Sequence, residues 1–344
     1  VKILVTGSTG FLGSNLCRAL VEAGHEVRAF HRTTSSLRGL EGVNVEHALG
    51  DLAQPKTLEI AMQGMEAVFH CAGLLDSAGD AGRMYAVTVD GTRAVLEAAR
   101  NAGIHRLVYT SSVASLGVPE KGPQGYEPAL LDENHTWNLP PSRWVYAYAK
   151  VLAEMEVQKA VAAGMDAVIV NPSFVIGAGD VYRGSLRVLE TAAAGRIPTS
   201  VPGGMNIVHI ADVVAGHILA LERGHTGERY ILGGNNMTHT SFFTLCAELA
   251  GVAPPRGVLP QSLTEFMGRT ARMISPWAQM PVNADMLTLG GMYFYYNMEK
   301  ARQVLGMAEP RSVRSAVEEA YAWLGISASS RTKYSSPSTK PRSR

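Results

Sequence analysis

Cysteine is scarce in this chain. Cys17, Cys71 and Cys246 are the only three in 344 residues, and they lie far apart. A disulfide framework needs paired cysteines and a zinc-type site needs them at short spacing, so neither organises the fold. Three scattered thiols suit a reducing compartment, and no metal site is expected. Long apolar runs are missing too: no stretch approaches the roughly 18 to 20 residues of a membrane span. The opening "VKILVTG" leads straight into a strand pattern rather than a leader. The expected location is the cytoplasm, with no membrane partner. Charge of one sign is also lacking, with 31 Lys and Arg against 30 Asp and Glu and a net charge of +1. Residues 327–344 hold five bases (Arg331, Lys333, Lys340, Arg342 and Arg344) and no acid, so the remainder carries −4. Gripping a phosphate backbone needs a basic face, which argues against nucleic acid as a main partner. The tail itself is rich in Ser, Thr and Pro with little to bury, and disorder is expected there.

What is present is ordinary for a soluble enzyme: 46% hydrophobic and 18% charged residues. The length suits two domains, or one domain with a lobe. Through the first half, short β-branched runs alternate with helical patterns. "KILVTG" precedes "FLGSNLCRALVEAG"; "EVRAFHR" and "VEHALGDL" lead to "PKTLEIAMQG"; "AVFHCAG" and "RLVYTSSV" each precede a further helix; "DAVIVNPS" closes the series. Such alternation means an α/β fold, a doubly wound parallel sheet of Rossmann type with its chemistry at the carboxyl ends of the strands. After Pro172 the regularity fades. "IVHIADVVAGHILALERG" reads as one more strand and helix with Asp212 at the N-cap, and "GERYILGG" as a further strand. The expected organisation is a dinucleotide-binding domain from residues 1–171 and 206–232. A smaller C-terminal substrate lobe is expected from 172–205 and 233–326. Within the lobe, "EFMGRTARMISPWAQM" (265–280) reads as a flexible apolar cover, with Met267 or Trp277 as candidate substrate contacts.

The chemistry-bearing motifs fall at strand ends. "VTGSTGFLGSNL" places Thr6, Gly7, Thr9, Gly10, Phe11, Leu12 and Gly13 between the first strand and first helix. Glycines there let the backbone turn tightly and approach a pyrophosphate at the positive end of the helix. About 20 residues on, an NAD site ends its second strand with an acid for the ribose hydroxyl. This chain has no carboxylate there but His31 and Arg32. Arg32 can hold a 2′-phosphate, so NADP(H) is the preferred cofactor and NAD(H) the alternative. Asp51 and Leu52, past the third strand, are placed to flank the adenine. Cys71, Ala72 and Gly73 end the fourth strand with small residues where a cofactor can pass close. Thr110, Ser111 and Ser112 end the fifth, where a hydroxyl can donate to a substrate oxygen.

"RWVYAYAKVLAEMEV" (143–157) reads as a helix. Tyr146 and Lys150 are four apart and share a face, whereas Tyr148 is two from each and does not. An ammonium beside a phenol favours the phenolate, so Lys150 is expected to lower the Tyr146 pKa toward the range useful for proton transfer. Helices around 85–102 and 144–163 carry apolar residues on more than one face, from which a homodimer is expected. His209 and His217 lack partners at metal-ligand spacing and read as structural. Trp137 and Trp144, flanking the loop into the tyrosine helix, are candidates for a substrate wall or for core.

Taken together, T-G-x-x-G-x-x-G, the Ser-bearing strand end, Tyr-x-x-x-Lys and "NPSFVIGAGD" resemble the short-chain dehydrogenase/reductase superfamily in its extended form, over about residues 1–326. "YTSSVASLGV", "VNPSFVIG", "NIVHIADVVAGHILALERG" and "GERYILGG" are most similar to the branch of dihydroflavonol 4-reductase-like proteins and hopanoid-associated sugar epimerases. The resemblance implies Tyr146 as the acid/base and Lys150 as the holder of the nicotinamide ribose. It implies Ser112, ahead of Ser111, as the group polarising the carbonyl. Pro172 and Ser173 then lie along the nicotinamide, with Val175 a further cofactor contact. Departures narrow the reading. Thr88-Val-Asp-Gly-Thr replaces the Asn-Val-x-Gly-Thr of many members, and Val113 and Ala114 stand where dehydratases carry an Asp-Glu pair. Met205 and Asn206 stand near the position of a diphosphate-binding Arg, for which Arg183, Arg187 or Arg196 would have to substitute. The implied activity is hydride transfer between a ketone or aldehyde and an alcohol on a small, fairly apolar molecule. The alternatives are a nucleotide-sugar epimerase with tightly held NAD, or a dinucleotide-binding regulator without turnover.

Overall fold

The structure is a computed structural model that describes residues 1–75, 80–120, 128–264, 266 and 291–326. The apolar cover read over 265–280, Met267 and Trp277 included, lies outside the described residues apart from Phe266, as does the tail from 327. Along the chain run β1 (Lys2–Thr6), α1 (Phe11–Glu22), β2 (Glu26–His31), β3 (Glu46–Leu49), α2 (Pro55–Met62) and β4 (Ala67–His70). Next come α3 (Ala81–Tyr85), α4 (Gly91–Asn101), β5 (Arg106–Thr110), β6 (Leu130–Leu131), α5 (Val145–Ala162), β7 (Ala167–Pro172) and β8 (Phe174–Ile176). The remainder comprises α6 (Leu186–Ala193), β9 (Gly204–His209), α7 (Ile210–Arg223), β10 (Arg229–Leu232), β11 (Asn235–Thr238), α8 (His239–Ala250), β12 (Tyr293–Tyr296) and α9 (Val313–Leu324). No helix among the described residues is long and apolar enough to cross a membrane.

The central sheet has seven strands in the order β10-β7-β5-β4-β1-β2-β3, all parallel. Its middle strands are near-continuous apolar runs because both faces are covered. Ile3 and Val5 of β1 join Leu16, Leu20 and Val213 from α1 and α7 on one side. Leu4, pointing the other way, joins Leu58, Met62, Val95 and Val157 from α2, α4 and α5. Each such side chain, fully buried, contributes about 1.5–3 kcal/mol. The chain winds outward from β1 to β3 and then returns to lay β4 on the other side of β1. That reversal opens a crevice above the carboxyl ends of β1 and β4, the usual seat of a ligand in such sheets.

A second sheet runs β11-β9-β12-β6, with β8 also on β9. The strand through 206–209, which the sequence pattern groups with the dinucleotide-binding unit, pairs here with strands outside the central sheet. β11 lies antiparallel to it and β8 parallel, while α7 returns to the central sheet. Leu186, Leu189, Phe242, Cys246, Val317 and Tyr321 from α6, α8 and α9 cover this smaller sheet.

Asp212 is not the cap of α7. The helix starts at Ile210, and the His209 imidazole caps it by accepting from the Ala211 N–H at 3.0 Å. Asp212 sits inside the first turn, where a carboxylate complements the helix dipole. It accepts from the Arg311 backbone N–H at 2.8 Å and pairs with the Arg311 guanidinium, tying the approach to α9 onto α7.

Candidate active site

At the β1–α1 junction the backbone does the shaping. Gly7 has φ +67°, and a Cβ there would come within 2.7 Å of the Ala72 nitrogen. The loops after β1 and β4 therefore touch, and only glycine lets them. A Cβ on Gly13 would drive into the Gly7 carbonyl, so the first turn of α1 packs directly on the loop. Gly10, at the N-cap, has no side chain to bond the first N–H groups, and no acid lies in the first turn, which begins Phe11-Leu12-Gly13. An uncapped helix start carries unpaired donors and a partial positive charge, which is what a pyrophosphate needs. Thr6 faces inward instead: its hydroxyl lies 2.7 Å from His70 Nδ1 and accepts from Ala72 N–H. Thr9 is buried in the loop.

At the end of β2, Arg32 is exposed, and its guanidinium makes no ion pair among the described residues. His31 is buried with both ring nitrogens engaged, Nδ1 with the Arg32 carbonyl at 3.1 Å and Nε2 with His47 Nδ1 at 3.0 Å. It shapes the strand end rather than offering itself to a ligand. Asp51 accepts from the Ala53 N–H ahead of α2, and Leu52 packs so closely on α4 that a Cβ on Gly91 would strike it. Both are half-buried.

The ends of β4, β5 and β7 and the start of α5 bring together Ser112, Tyr146 and Lys150. Tyr146 and Ser112 are half-buried, and the Ser112 hydroxyl accepts from the Ala114 N–H at 3.2 Å. Lys150, 5% exposed, donates to the Thr110 carbonyl at 2.8 Å and lies 5.2 Å above the Tyr109 ring. Burial lowers its pKa to about 8. The sequence expectation that Lys150 lowers the Tyr146 pKa does not hold. Burial pushes the phenol up, and the opposing influence is the Ser112 hydrogen bond. Desolvation disfavours a phenolate more than the neighbouring ammonium, fixed on Thr110, favours it. Tyr148, on the other face, packs against the Trp137 ring with centroids 5.7 Å apart, while Trp144 meets Phe294 at 6.1 Å.

Thr110 serves through its carbonyl; its hydroxyl turns inward to His217 Nε2 at 2.9 Å and Cys71 Sγ at 3.3 Å. His217 Nδ1 donates to the Val213 carbonyl, so Nε2 is the acceptor, and burial lowers its pKa to about 4. Ser111 is committed to Glu154. Cys71 is half-buried, its thiol pushed up to about 11 by burial. Gly73 is exposed, and a Cβ there would meet only Lys150 Nζ, at 3.4 Å. Pro172 ends β7, Val175 is half-buried in β8, and the Ser173 Oγ between them is buried with no hydrogen-bond partner among the described residues. That orphaned hydroxyl, the glycine-lined crevice and the uncapped helix fit a dinucleotide lying from α1 to Lys150. The sequence reading passed over Glu154, Ser115 and Asn171, which stand behind Ser112. The available signal was the continuation of the Tyr146–Lys150 spacing by four more residues.

The NAD dependent epimerase/dehydratase family model matches residues 3–233. Sterol demethylase protein B of Methylococcus capsulatus is 34% identical, over 93% of this chain and 97% of its own length. A putative dihydroflavonol 4-reductase of Synechocystis is also 34% identical, over 93% of each chain. Among solved structures, that of gox2253 superposes with a TM-score of 0.81 at 37% identity, covering 94% of this chain and 97% of the other.

Proposed function

The chain belongs to the NAD dependent epimerase/dehydratase family, and from that premise we propose that it interconverts a ketone or aldehyde with an alcohol on a small, fairly apolar substrate, preferring NADP(H). It is an NAD(P)-dependent oxidoreductase of the extended short-chain dehydrogenase/reductase type. The observation that carries the reaction is the meeting of Ser112, Tyr146 and Lys150 beside the crevice. The dinucleotide, when bound, supplies or takes the hydride. Tyr146, its phenol kept protonated by burial, gives its proton to the substrate oxygen on reduction and recovers it on oxidation. Ser112 donates a hydrogen bond to the same oxygen, and Lys150 holds the ribose side of the cofactor. Pro172, Ser173 and Val175 line the nicotinamide.

Two observations support an apolar substrate over a sugar nucleotide. Asn206 is spent inside the lobe: its amide donates to Asn236 at 2.7 Å and its oxygen accepts from the Gly234 N–H. Arg183 is paired with Glu190 at 2.9 Å. The names of both curated relatives, a sterol and a dihydroflavonol protein, also point to ring systems with little charge. The test is to dialyse the purified protein and follow NADPH consumption across a panel of ketones. Freely exchanging NADPH with ketone-dependent turnover is expected. A retained NAD, with epimerisation of a sugar nucleotide, would replace this reading. Two copies are taken to pair across α4 and α5, where Met155 is 51% exposed; a monomer mass by light scattering at micromolar concentration would refute that pairing.

A further inference from the structure

Tyr146 and Lys150 are four residues apart on α5, and Glu154 continues the column by four more, one turn deeper. Its carboxylate is nearly sealed from water, at 7% exposure. Oε1 accepts from the Ser111 hydroxyl, from the Ser115 hydroxyl at 2.7 Å and from the Asn171 amide at 2.8 Å. The Arg229 guanidinium lies 3.4 Å from Oε2. Two of these donors also reach the Ser112 carbonyl, Ser115 Oγ at 2.8 Å and Asn171 Nδ2 at 3.1 Å. Ser115 has one hydrogen for two acceptors, so the same group bridges Glu154 and Ser112. The Asn171 amide is oriented by the carboxylate, since turned over it would set oxygen against oxygen. Its own Oδ1 is left buried without a partner among the described residues.

We propose that Glu154 is a positioning residue for this reaction: through Ser111, Ser115 and Asn171 it fixes the turn that carries Ser112, and it sets a negative charge one turn beneath the Lys150 ammonium. The inference rests on Ser112, Tyr146 and Lys150 being the reacting set. The groups facing Lys150 explain why a carboxylate is needed. From its own helix come Tyr146 and Glu154; from β5 come the Tyr109 ring and the Thr110 carbonyl; from the end of β4 come His70 and Cys71. Burial holds His70 neutral and raises the Cys71, Tyr109 and Tyr146 pKa values. Among the described residues Glu154 is the one carboxylate of this group, and it opposes the burial that pulls Lys150 down to about 8.

Glu154→Gln separates the two roles. The Gln oxygen can still accept from Ser111, Ser115 and Asn171, but the charge is gone. Without it Lys150 releases its proton at lower pH, so the alkaline limb of both kcat/KM and NADPH affinity should move down by about one pH unit. Glu154→Asp keeps the charge on a shorter arm: turnover should fall about tenfold with the limb unmoved. Ser115→Ala cuts the bridge to Ser112 and should lower kcat about tenfold, leaving KM and the limb in place. An unmoved limb in Glu154→Gln, or a limb that moves in Glu154→Asp, overturns the charge role. Full kcat in Ser115→Ala overturns the positioning role. NADPH affinity against pH, read by fluorescence titration, keeps the test independent of turnover. If Glu154→Gln shifts that curve while Tyr146→Phe leaves turnover intact, the site reading fails and the charge coupling stands. If the curve stays put, the coupling fails whatever Tyr146 does.

Discussion

The two ends of the crevice are built from different materials. Where β1 meets α1, the proposed cofactor seat is mainly backbone: Gly7, Gly10 and Gly13 and a helix start without a side-chain cap, with Arg32, free of ion pairs among the described residues, beside it. Where β5 meets α5, side chains do the work, and nearly every polar one is committed. Lys150 is fixed on Thr110, Thr110 on His217, Ser111 and Ser115 on Glu154, and Asn171 on Glu154, Ser115 and the Ser112 carbonyl. On the proposed function, the contrast follows from the tasks. A pyrophosphate needs close approach and unpaired N–H donors, which bulk would obstruct. Proton transfer needs one hydroxyl held at one place, which bonds around it must enforce. The first end should therefore be sensitive to volume and charge, the second to single atoms.

Tyr146→Phe tests the single-atom end and carries the largest expected effect. It removes the transferable proton and keeps the ring, so folding and NADPH binding should survive while turnover drops about a hundred to ten thousandfold. Lys150→Ala should lower turnover and weaken cofactor binding together. Unchanged turnover in Tyr146→Phe would mean the catalytic end is not catalytic. At the other end, Arg32→Ala should remove most of the preference for NADPH over NADH. A charge-assisted contact is worth about 1.5–3 kcal/mol, or about one to two decades in affinity. Equal affinities in the unmutated protein would refute the 2′-phosphate assignment.

The same contrast governs what could be read from the sequence. The glycine loop and the Tyr146–Lys150 pair are local, set by spacing on one strand end or one helix face, and the placement of both was legible. So was the parallel sheet, because alternating β-branched and helical runs permit few other arrangements. The partner of β9 was not legible: "NIVH" announces a strand, but its neighbours β8, β11 and β12 come from segments up to about ninety residues away. The cap of α7 was missed because an imidazole took the place of the more usual Asp, two residues from the true start. The sign of the Tyr146 shift was missed because burial, a property of the whole fold, outweighed a charge visible in the sequence. Glu154 gathers donors from residues 111, 115, 171 and 229, which no local pattern joins.

Buried neutral histidines make the junction of the two ends acid-labile: His70 joins Thr6 of β1 to the surroundings of Lys150, and His217 lies beneath Thr110. The Thr92 hydroxyl donates to the Thr88 carbonyl at 2.6 Å, so His70 Nε2–H must donate to Thr92, and Nδ1 accepts from Thr6. Burial and the nearby Lys150 hold its pKa near 3, and burial holds His217 near 4, both down from about 6.5. Between those folded values and about 6.5 the unfolded chain binds more protons than the native one. The stability contribution is therefore full above pH 6.5 and is lost as the pH falls toward 4 and then 3. At pH 5 each histidine should cost about 2 kcal/mol relative to pH 7.5. Urea unfolding at the two pH values measures it. His217→Asn should remove about half of this histidine-linked loss, whatever it does to stability at pH 7.5, and an undiminished loss would place the acid sensitivity elsewhere.

The smallest expected effect is the sharpest control. Tyr148 lies two residues from both Tyr146 and Lys150, and its ring packs on Trp137, away from Ser112. Tyr148→Phe deletes one oxygen and almost no volume, as does Tyr146→Phe, so the pair differ only in the helix face from which the oxygen is lost. If turnover depends on a proton delivered beside Ser112, Tyr148→Phe should stay within about threefold of the unmutated enzyme, because packing on Trp137 needs the ring and not the hydroxyl. Unfolding midpoints of the two variants should agree within a few degrees, which separates chemistry from stability. Equal losses of turnover at the two positions would show that α5 acts through general integrity. The distinction between an end set by single atoms and an end set by backbone shape would then fall with it.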